Sequence, residues 1–168
     1  MLRVLVRAIE GLSAWSGRVA MGFSLLLVLI TAFETGERYL LNRSSGAIQE
    51  LTWHLYAAIF LLGFAQTLRE DGHVRVDIFY DRLSSKGQAV VNILSMVFLL
   101  IPFCLMMIGF SWGWVVKAFL ISERSPDPGG LPALWILKSL VPIGFGLLLL
   151  QGLAEIFKKT RLLLGRRE

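Results

Sequence analysis

The chain is poor in the residues that soluble and catalytic domains use. It has one cysteine, Cys104, so an intrachain disulfide and a thiolate cluster for a metal are both excluded. Charged residues make up only 17% of the sequence, well below an ordinary soluble domain. It contains no P-loop, Gly-rich dinucleotide fingerprint, nucleophile elbow or zinc-ligand spacing. These absences argue against an enzyme.

Long apolar runs are what the sequence has instead. Hydrophobic residues make up 55% of it, and the mean hydropathy is +0.66. A bilayer core of about 30 Å needs roughly 20 apolar residues per helical crossing. Four stretches meet that length, at about 19–41, 51–68, 90–121 and 131–157. The sequence therefore predicts an all-α integral membrane protein, a single membrane domain of four transmembrane helices over residues 1–168.

The distribution of basic residues predicts the orientation. With a cytoplasmic N-terminus, twelve Lys and Arg residues fall on inside segments, which include the loop 69–89 and the tail 158–168, and four fall on outside loops. The positive-inside rule favours this arrangement, with both termini in the cytoplasm. The net charge of +5 forms no continuous patch or aromatic-interleaved groove, so nucleic acid is not an expected partner.

The segment 1–17 has the pattern of a short amphipathic helix. Charged Arg3, Arg7 and Glu10 take one side, and apolar residues recur at helical spacing on the other, at Leu2, Leu5, Val6, Ile9 and Leu12. The pattern predicts a lead helix lying on the cytoplasmic membrane surface, with a frayed basic lead-in as the alternative. A cleaved signal peptide is a rival interpretation of 19–31, but the further spans favour an uncleaved helix.

Charged and polar residues near the ends of the first two spans are candidate structural or interface residues. Glu34 and Arg38 are four apart on one helical face, where they can form an ion pair near the outer interface. Glu50 and His54 have the same spacing and can hydrogen-bond along one face. Trp53 fits an interfacial aromatic belt.

The third and fourth segments carry helix-shaping residues. The third would be about 48 Å long as one helix, so we expect it to tilt or project, and Pro102 gives a plausible kink. The turn that follows is rich in Pro and Gly, and Pro132 is placed to open the fourth helix. Lys138, in the first two turns of that helix, either snorkels to the interface or meets an acidic partner.

The two histidines bear on a heme-bearing alternative. His54 and His73 are nineteen residues apart, about 28 Å along a helix, so they cannot be the two axial ligands of one heme. A membrane anchor subunit of a respiratory enzyme, with or without heme, stays an alternative function. A channel or small exporter formed by oligomerisation is a second one.

Four short motifs, in this order and at this spacing, resemble the small membrane subunit of tripartite ATP-independent periplasmic (TRAP) transporters. The segment 73–77, His-Val-Arg-Val-Asp, is similar to the family's cytoplasmic signature after the second helix. Arg38-Tyr39 resembles its Arg-Tyr, 49–51 its entry to the second span, and 125–132, ending Gly-Gly-Leu-Pro, its turn before the fourth helix. The likeness covers about 16–157.

The resemblance implies a function for the chain. It would be the small permease subunit of a sodium-driven transporter in the bacterial inner membrane that takes up a small organic acid. Its partners would be a large membrane subunit, a periplasmic substrate-binding protein and membrane lipids. It would hold no cofactor, because sodium and substrate sites belong to the large subunit. We predict these structural or interface residues: Glu34, Arg38, Glu50, Trp53, His54, His73, Arg75, Asp77 and Lys138.

Overall fold

A computed structural model of the chain describes residues 2–71, 80 and 83–164, and four long apolar helices dominate them. Helix α1 spans Leu2–Leu41, α2 spans Gly46–Arg69, α3 spans Ser85–Leu120 and α4 spans Trp135–Leu163. Each is long and apolar enough to cross a membrane, as the four runs predicted. The all-helical fold class is thus confirmed.

The helices pack as a row in the order α1, α2, α4, α3. Helix α2 contacts both α1 and α4, α4 contacts α3, and α1 also touches α4. Helices α1 and α3 therefore lie at the two edges of the row. Because successive helices run in opposite directions, the start of α1 and the ends of α2 and α4 meet at one end, called here the inner end. The turns at 42–45 and 121–134 lie at the outer end.

The first helix is longer than the predicted first span. The predicted lead segment 1–17 and the span 19–41 form one continuous helix from Leu2, rather than two elements. The buried residues of this helix are Ser13, Ser16, Gly17 and Ala20, and α1 contacts both α2 and α4. The position of the segment 1–17 on a membrane surface stays a prediction. The helix stops where Asn42 takes a positive φ of 50°, which ends α-helical geometry.

Helix α3 contains one turn of different geometry. It is α-helical over Ser85–Ser95 and Ile101–Leu120, with a π-helical turn at Met96–Leu100 between them. Pro102 explains the position of this turn, because its ring lacks an N–H donor and crowds the carbonyl of Phe98. The predicted kink site is therefore a π turn. The Ser84 hydroxyl caps the start of α3 by accepting the N–H of Gly87 at 3.3 Å.

The fourth helix begins later than predicted. Pro132 does not open it, because Ala133 has a positive φ of 62° and the helix starts at Trp135. Two backbone bonds close the turn instead. The N–H of Ser125 donates to the carbonyl of Leu131, and the N–H of Leu134 donates to that of Glu123. The result is the compact outer turn that the Pro and Gly content predicted.

The packed core lies between α2, α3 and α4 and is small. It comprises Leu68, Met96, Cys104, Phe145 and Leu148. Most other large apolar side chains point outward, among them Leu25, Phe98 and Phe110, the last 79% exposed. In water such a surface would be unstable, whereas hydrocarbon tails are as apolar as the side chains themselves. The exposed apolar surface therefore suits a lipid bilayer.

Candidate functional site

A polar cluster joins α1 to α4 near the inner end of the row. The Ser13 hydroxyl donates to Oε1 of Gln151 at 2.8 Å, and Gln151 Nε2 donates to Oε1 of Glu155 at 3.0 Å. Lys158 Nζ donates to Glu10 Oε1 at 2.8 Å and also pairs with Glu155. Gln151 is fully buried. We call these five residues the inner cluster. They link α1 to α4 through the hydrogen bonds of the Gln151 amide and the ion pairs of Lys158.

A second polar cluster lies at the outer end. Oε2 of Glu50, on α2, accepts the backbone N–H of Leu131 at 2.6 Å. Lys138, on α4, pairs with Glu123 at 2.5 Å, and its Nζ lies 4.3 Å from the centre of the Trp114 ring on α3. We call these five residues the outer cluster. It ties the turn 121–134 to three helices.

Glycines set the close approach of α2 to its two neighbours. A Cβ at Gly144 on α4 would lie 2.7 Å from the carbonyl oxygen of Leu61 on α2. A Cβ at Gly17 on α1 would lie 2.6 Å from Cγ of Gln66, also on α2. Small residues at such contacts let helix backbones approach closely in a membrane, where association has no hydrophobic drive. The row is thus held by backbone contact as well as by polar pairs.

The structure gives definite partners to three of the predicted residues. Glu50 and Lys138 belong to the outer cluster, and the acidic partner of Lys138 is Glu123 of the same chain. His54 does meet Glu50, but through the backbone: its Nδ1 lies 2.7 Å from the Glu50 carbonyl oxygen. This is the arrangement of a helical side chain bonded to its own preceding turn. Trp53 is exposed at the outer end, where an interfacial aromatic is expected.

The other predicted residues are Glu34 and Arg38, on α1, and His73, Arg75 and Asp77, which follow α2 in the sequence. Glu34 and Arg38 form no ion pair with each other among the described residues; the Arg38 guanidinium lies 5.6 Å from the ring centre of Tyr39 instead. Their membership of an interface stays a prediction. His73, Arg75 and Asp77 lie outside the described residues, so the predicted ordering of the cytoplasmic corner stays a prediction too.

Sequence reasoning did not single out the inner cluster. Gln151 and Glu155 follow a run of four leucines, and four-residue spacing on a hydrophobic helix was the available signal. The partner helix was not inferable, because Ser13 is 138 positions away and lies in a segment that was predicted to be separate. Glu123 was read as part of a turn, and only its proximity to Lys138 gives it a role.

The chemistry of both clusters is structural. Across the described residues, every buried side-chain nitrogen and oxygen has a hydrogen-bond partner. A satisfied network rigidifies the fold, and a membrane makes that satisfaction more important because no water can substitute for a missing partner. The four helices therefore form a row that is held together by polar clusters at both ends. The faces, edges and ends of this row remain exposed.

Comparison with known proteins points in the same direction. A family model described as "Tripartite ATP-independent periplasmic transporters, DctQ component" matches residues 27–162. The chain is 30% identical over 163 residues to the C4-dicarboxylate TRAP transporter small permease protein DctQ of Pseudomonas aeruginosa, covering 86% of this chain and 72% of that one. It is 27% identical over 169 residues to the sialic acid TRAP transporter small permease protein SiaQ of Vibrio cholerae, covering 98% and 89%.

Proposed function

The chain belongs to the DctQ component family of tripartite ATP-independent periplasmic transporters, and from this membership we propose that it is the small permease subunit that braces a large membrane subunit. The observation that carries the proposal is the row of four helices with satisfied internal polar groups and exposed apolar faces. Such a row offers one long apolar surface to a partner. Its satisfied internal hydrogen bonds suit a rigid scaffold.

The orientation of the subunit is part of the proposal. Twelve basic residues on the inner side against four on the outer side support cytoplasmic termini in a bacterial inner membrane. The outer cluster then faces the periplasm. Because Glu50 and the Glu123–Lys138 pair hold the turn 121–134 in place, this turn is a suitable part of the docking surface for a periplasmic substrate-binding protein.

The substrate class follows from the relatives and not from this chain's own residues. One named relative serves a C4-dicarboxylate transporter and the other a sialic acid transporter, and both compounds carry carboxylate groups. We propose a small organic acid, taken up with sodium through sites on the large subunit. The small subunit itself is proposed to bind neither substrate nor cofactor.

Reconstitution tests this function. The chain is co-expressed with a large membrane subunit and a binding protein of a TRAP transporter, purified through a tag on the large subunit, and placed in liposomes with an inward sodium gradient. We expect the chain to co-purify and uptake of an organic acid to require it. Uptake of equal rate without the chain, or solute flux through liposomes containing this chain alone, contradicts the proposal.

A further inference from the structure

The first half of α1 has three different faces. One face packs on the row through Ser13, Ser16, Gly17 and Ala20. The second carries large apolar side chains that are exposed. Val4, Leu12 and Trp15 are 70%, 41% and 57% exposed, and with Ala8 they recur at the spacing of one helical side.

The third face is a basic stripe. Arg3 and Arg7 are one turn apart, and Arg18 lies three turns further along the same side of the helix. All three residues are exposed. Between them on this side lie Gly11 and Ala14, and a Cβ at Gly11 would have no atom within 4 Å. The small residues leave room beside the helix between the guanidinium groups.

Within residues 2–71, 80 and 83–164, no carboxylate neutralises the basic stripe. Glu10 is the only acidic residue in the first 33 positions, and its carboxylate is engaged by Lys158 on α4. No acidic side chain pairs with Arg3, Arg7 or Arg18 within the described part of the chain; Arg18 Nε lies 3.4 Å from the carbonyl oxygen of Ala14. Lys158, the nearest cation on α4, is by contrast paired with two carboxylates.

The length of α1 brings this region to the level of lipid headgroups. Forty residues make a helix about 60 Å long, whereas a bilayer with its headgroups is about 40–45 Å thick. A helix of that length either tilts or projects from the bilayer. Projection would leave the exposed side chains of Val4, Leu12 and Trp15 in water, so tilting is favoured. Tilting lays the exposed side of its first turns against the headgroup and upper acyl region, where Trp15 is a favourable interfacial residue and arginine is favourable beside phosphate.

We propose that the first half of α1 is a binding site for anionic phospholipid, in which Arg3, Arg7 and Arg18 hold the phosphate groups and Val4, Leu12 and Trp15 contact the acyl chains. Guanidinium groups suit this ligand because they donate two parallel hydrogen bonds to phosphate oxygens. Because an apolar face lies beside the arginines, the expected ligand is a phospholipid and not free phosphate. The site depends on bilayer insertion with this end at the inner leaflet, and not on the transport role.

Lipid retention tests the site. The full chain is placed in nanodiscs of phosphatidylcholine with a minor fraction of phosphatidylglycerol, and the lipids that remain bound after extraction are counted by native mass spectrometry. We expect phosphatidylglycerol to be enriched over its bulk fraction. In the triple variant Arg3→Gln, Arg7→Gln, Arg18→Gln this enrichment should fall by at least about tenfold, since each basic residue near an anionic surface contributes about a fivefold factor and three are removed.

Two variants keep this test decisive. Arg43→Gln, Lys117→Gln, Arg124→Gln removes the same charge from exposed residues at the outer end, and we expect it to retain the enrichment. Replacing the three stripe arginines by lysine preserves the charge and should retain most of it. Equal enrichment in the Arg→Gln triple variant, or equal loss in the outer-end variant, overturns the proposal.

A photo-crosslinker at Ala8, on the apolar face, distinguishes the occupants in cells that express the whole transporter. Crosslinks to phospholipid are expected. A crosslink to the large membrane subunit as the main product overturns the proposal, because that face would then be covered by protein.

Discussion

Individual polar residues in this protein act in pairs that cross between elements. Glu50 reaches from α2 to the turn before α4, and Lys138 reaches from α4 to Glu123 and Trp114. The side chain of Lys138 is only 11% exposed, so its charge is largely removed from solvent. Charges at this depth are costly when unpaired, and their partners are therefore essential to the fold.

A double-mutant cycle measures the outer pair. We expect Lys138→Gln and Glu123→Gln each to lower the free energy of unfolding of the purified chain, and the double variant to lose less than the sum. The coupling should be about 1–3 kcal/mol, because the two groups are in direct contact and mostly buried. The measurement is denaturant unfolding in lipid micelles.

The matched control is the cycle of Glu34→Gln with Arg38→Gln. These residues lie at the same end of the row but form no ion pair with each other, so their coupling in the isolated chain should be within about 0.5 kcal/mol of zero. A coupling at Glu34–Arg38 as large as that at Glu123–Lys138 would contradict the packing described here.

At the level of elements, a glycine on each neighbour of α2 lies tightly against it. Gly144 on α4 lies against the Leu61 backbone, and that contact involves a carbonyl group that cannot rotate away. We expect Gly144→Ala to force α2 and α4 apart and to cost about 1–3 kcal/mol, as overpacking does elsewhere. The thermal midpoint of the purified chain, followed by size-exclusion chromatography, should fall by several degrees.

Gly146→Ala is the control for that substitution. It lies two residues along the same helix, and a Cβ there would have no atom within 4 Å. Alanine has the better helix propensity, so this variant should be neutral or more stable by up to about 1 kcal/mol. Equal destabilisation by both substitutions would show that α2 and α4 do not meet at Gly144.

The sequence predicted the helices better than their ends. Hydropathy identified all four spans because a bilayer demands a fixed length of apolar residues from each of them. The ends depend on tertiary contacts that this signal does not report. Helix α1 runs without a break from Leu2 and buries only residues between Ser13 and Ala20, and α4 starts at Trp135 because Ala133 takes a positive φ.

Site prediction was limited in the same way. Spacing identified Glu50, and a position in the first two turns of the fourth helix identified Lys138, as residues that need partners. Their partners are 81 and 15 positions away, at Leu131 and Glu123. Intrahelical spacing paired His54 with Glu50, and in the structure the His54 ring contacts the Glu50 backbone carbonyl. Gln151 was missed because its partner, Ser13, becomes a neighbour only when the row has formed.

For the whole molecule, the predicted orientation is open to a direct test. Cys104 is buried, so a Cys104→Ala background leaves no reactive thiol of its own. Single cysteines at exposed Ser44 and Asp127, in the two outer turns, should react with a membrane-impermeant maleimide added to intact spheroplasts. A cysteine at exposed Lys86 or Leu164 should react only after the membrane is permeabilised. The reverse pattern would contradict cytoplasmic termini.

The edge of the row formed by α1 is a candidate contact surface for the large subunit. The outer part of α1 is exposed on most sides, and Arg38 stands there without an ionic partner among the described residues. If this edge packs on the large subunit, a carboxylate of that subunit can pair with Arg38 away from water. Truncating one member of such a pair weakens the complex.

We expect Arg38→Ala to lower co-purification of the large subunit roughly threefold to tenfold. Arg43→Ala, five residues on and in the exposed turn, should leave the yield unchanged. An unchanged yield for Arg38→Ala, combined with lost binding of the periplasmic protein, would move Arg38 from the subunit interface to the docking surface.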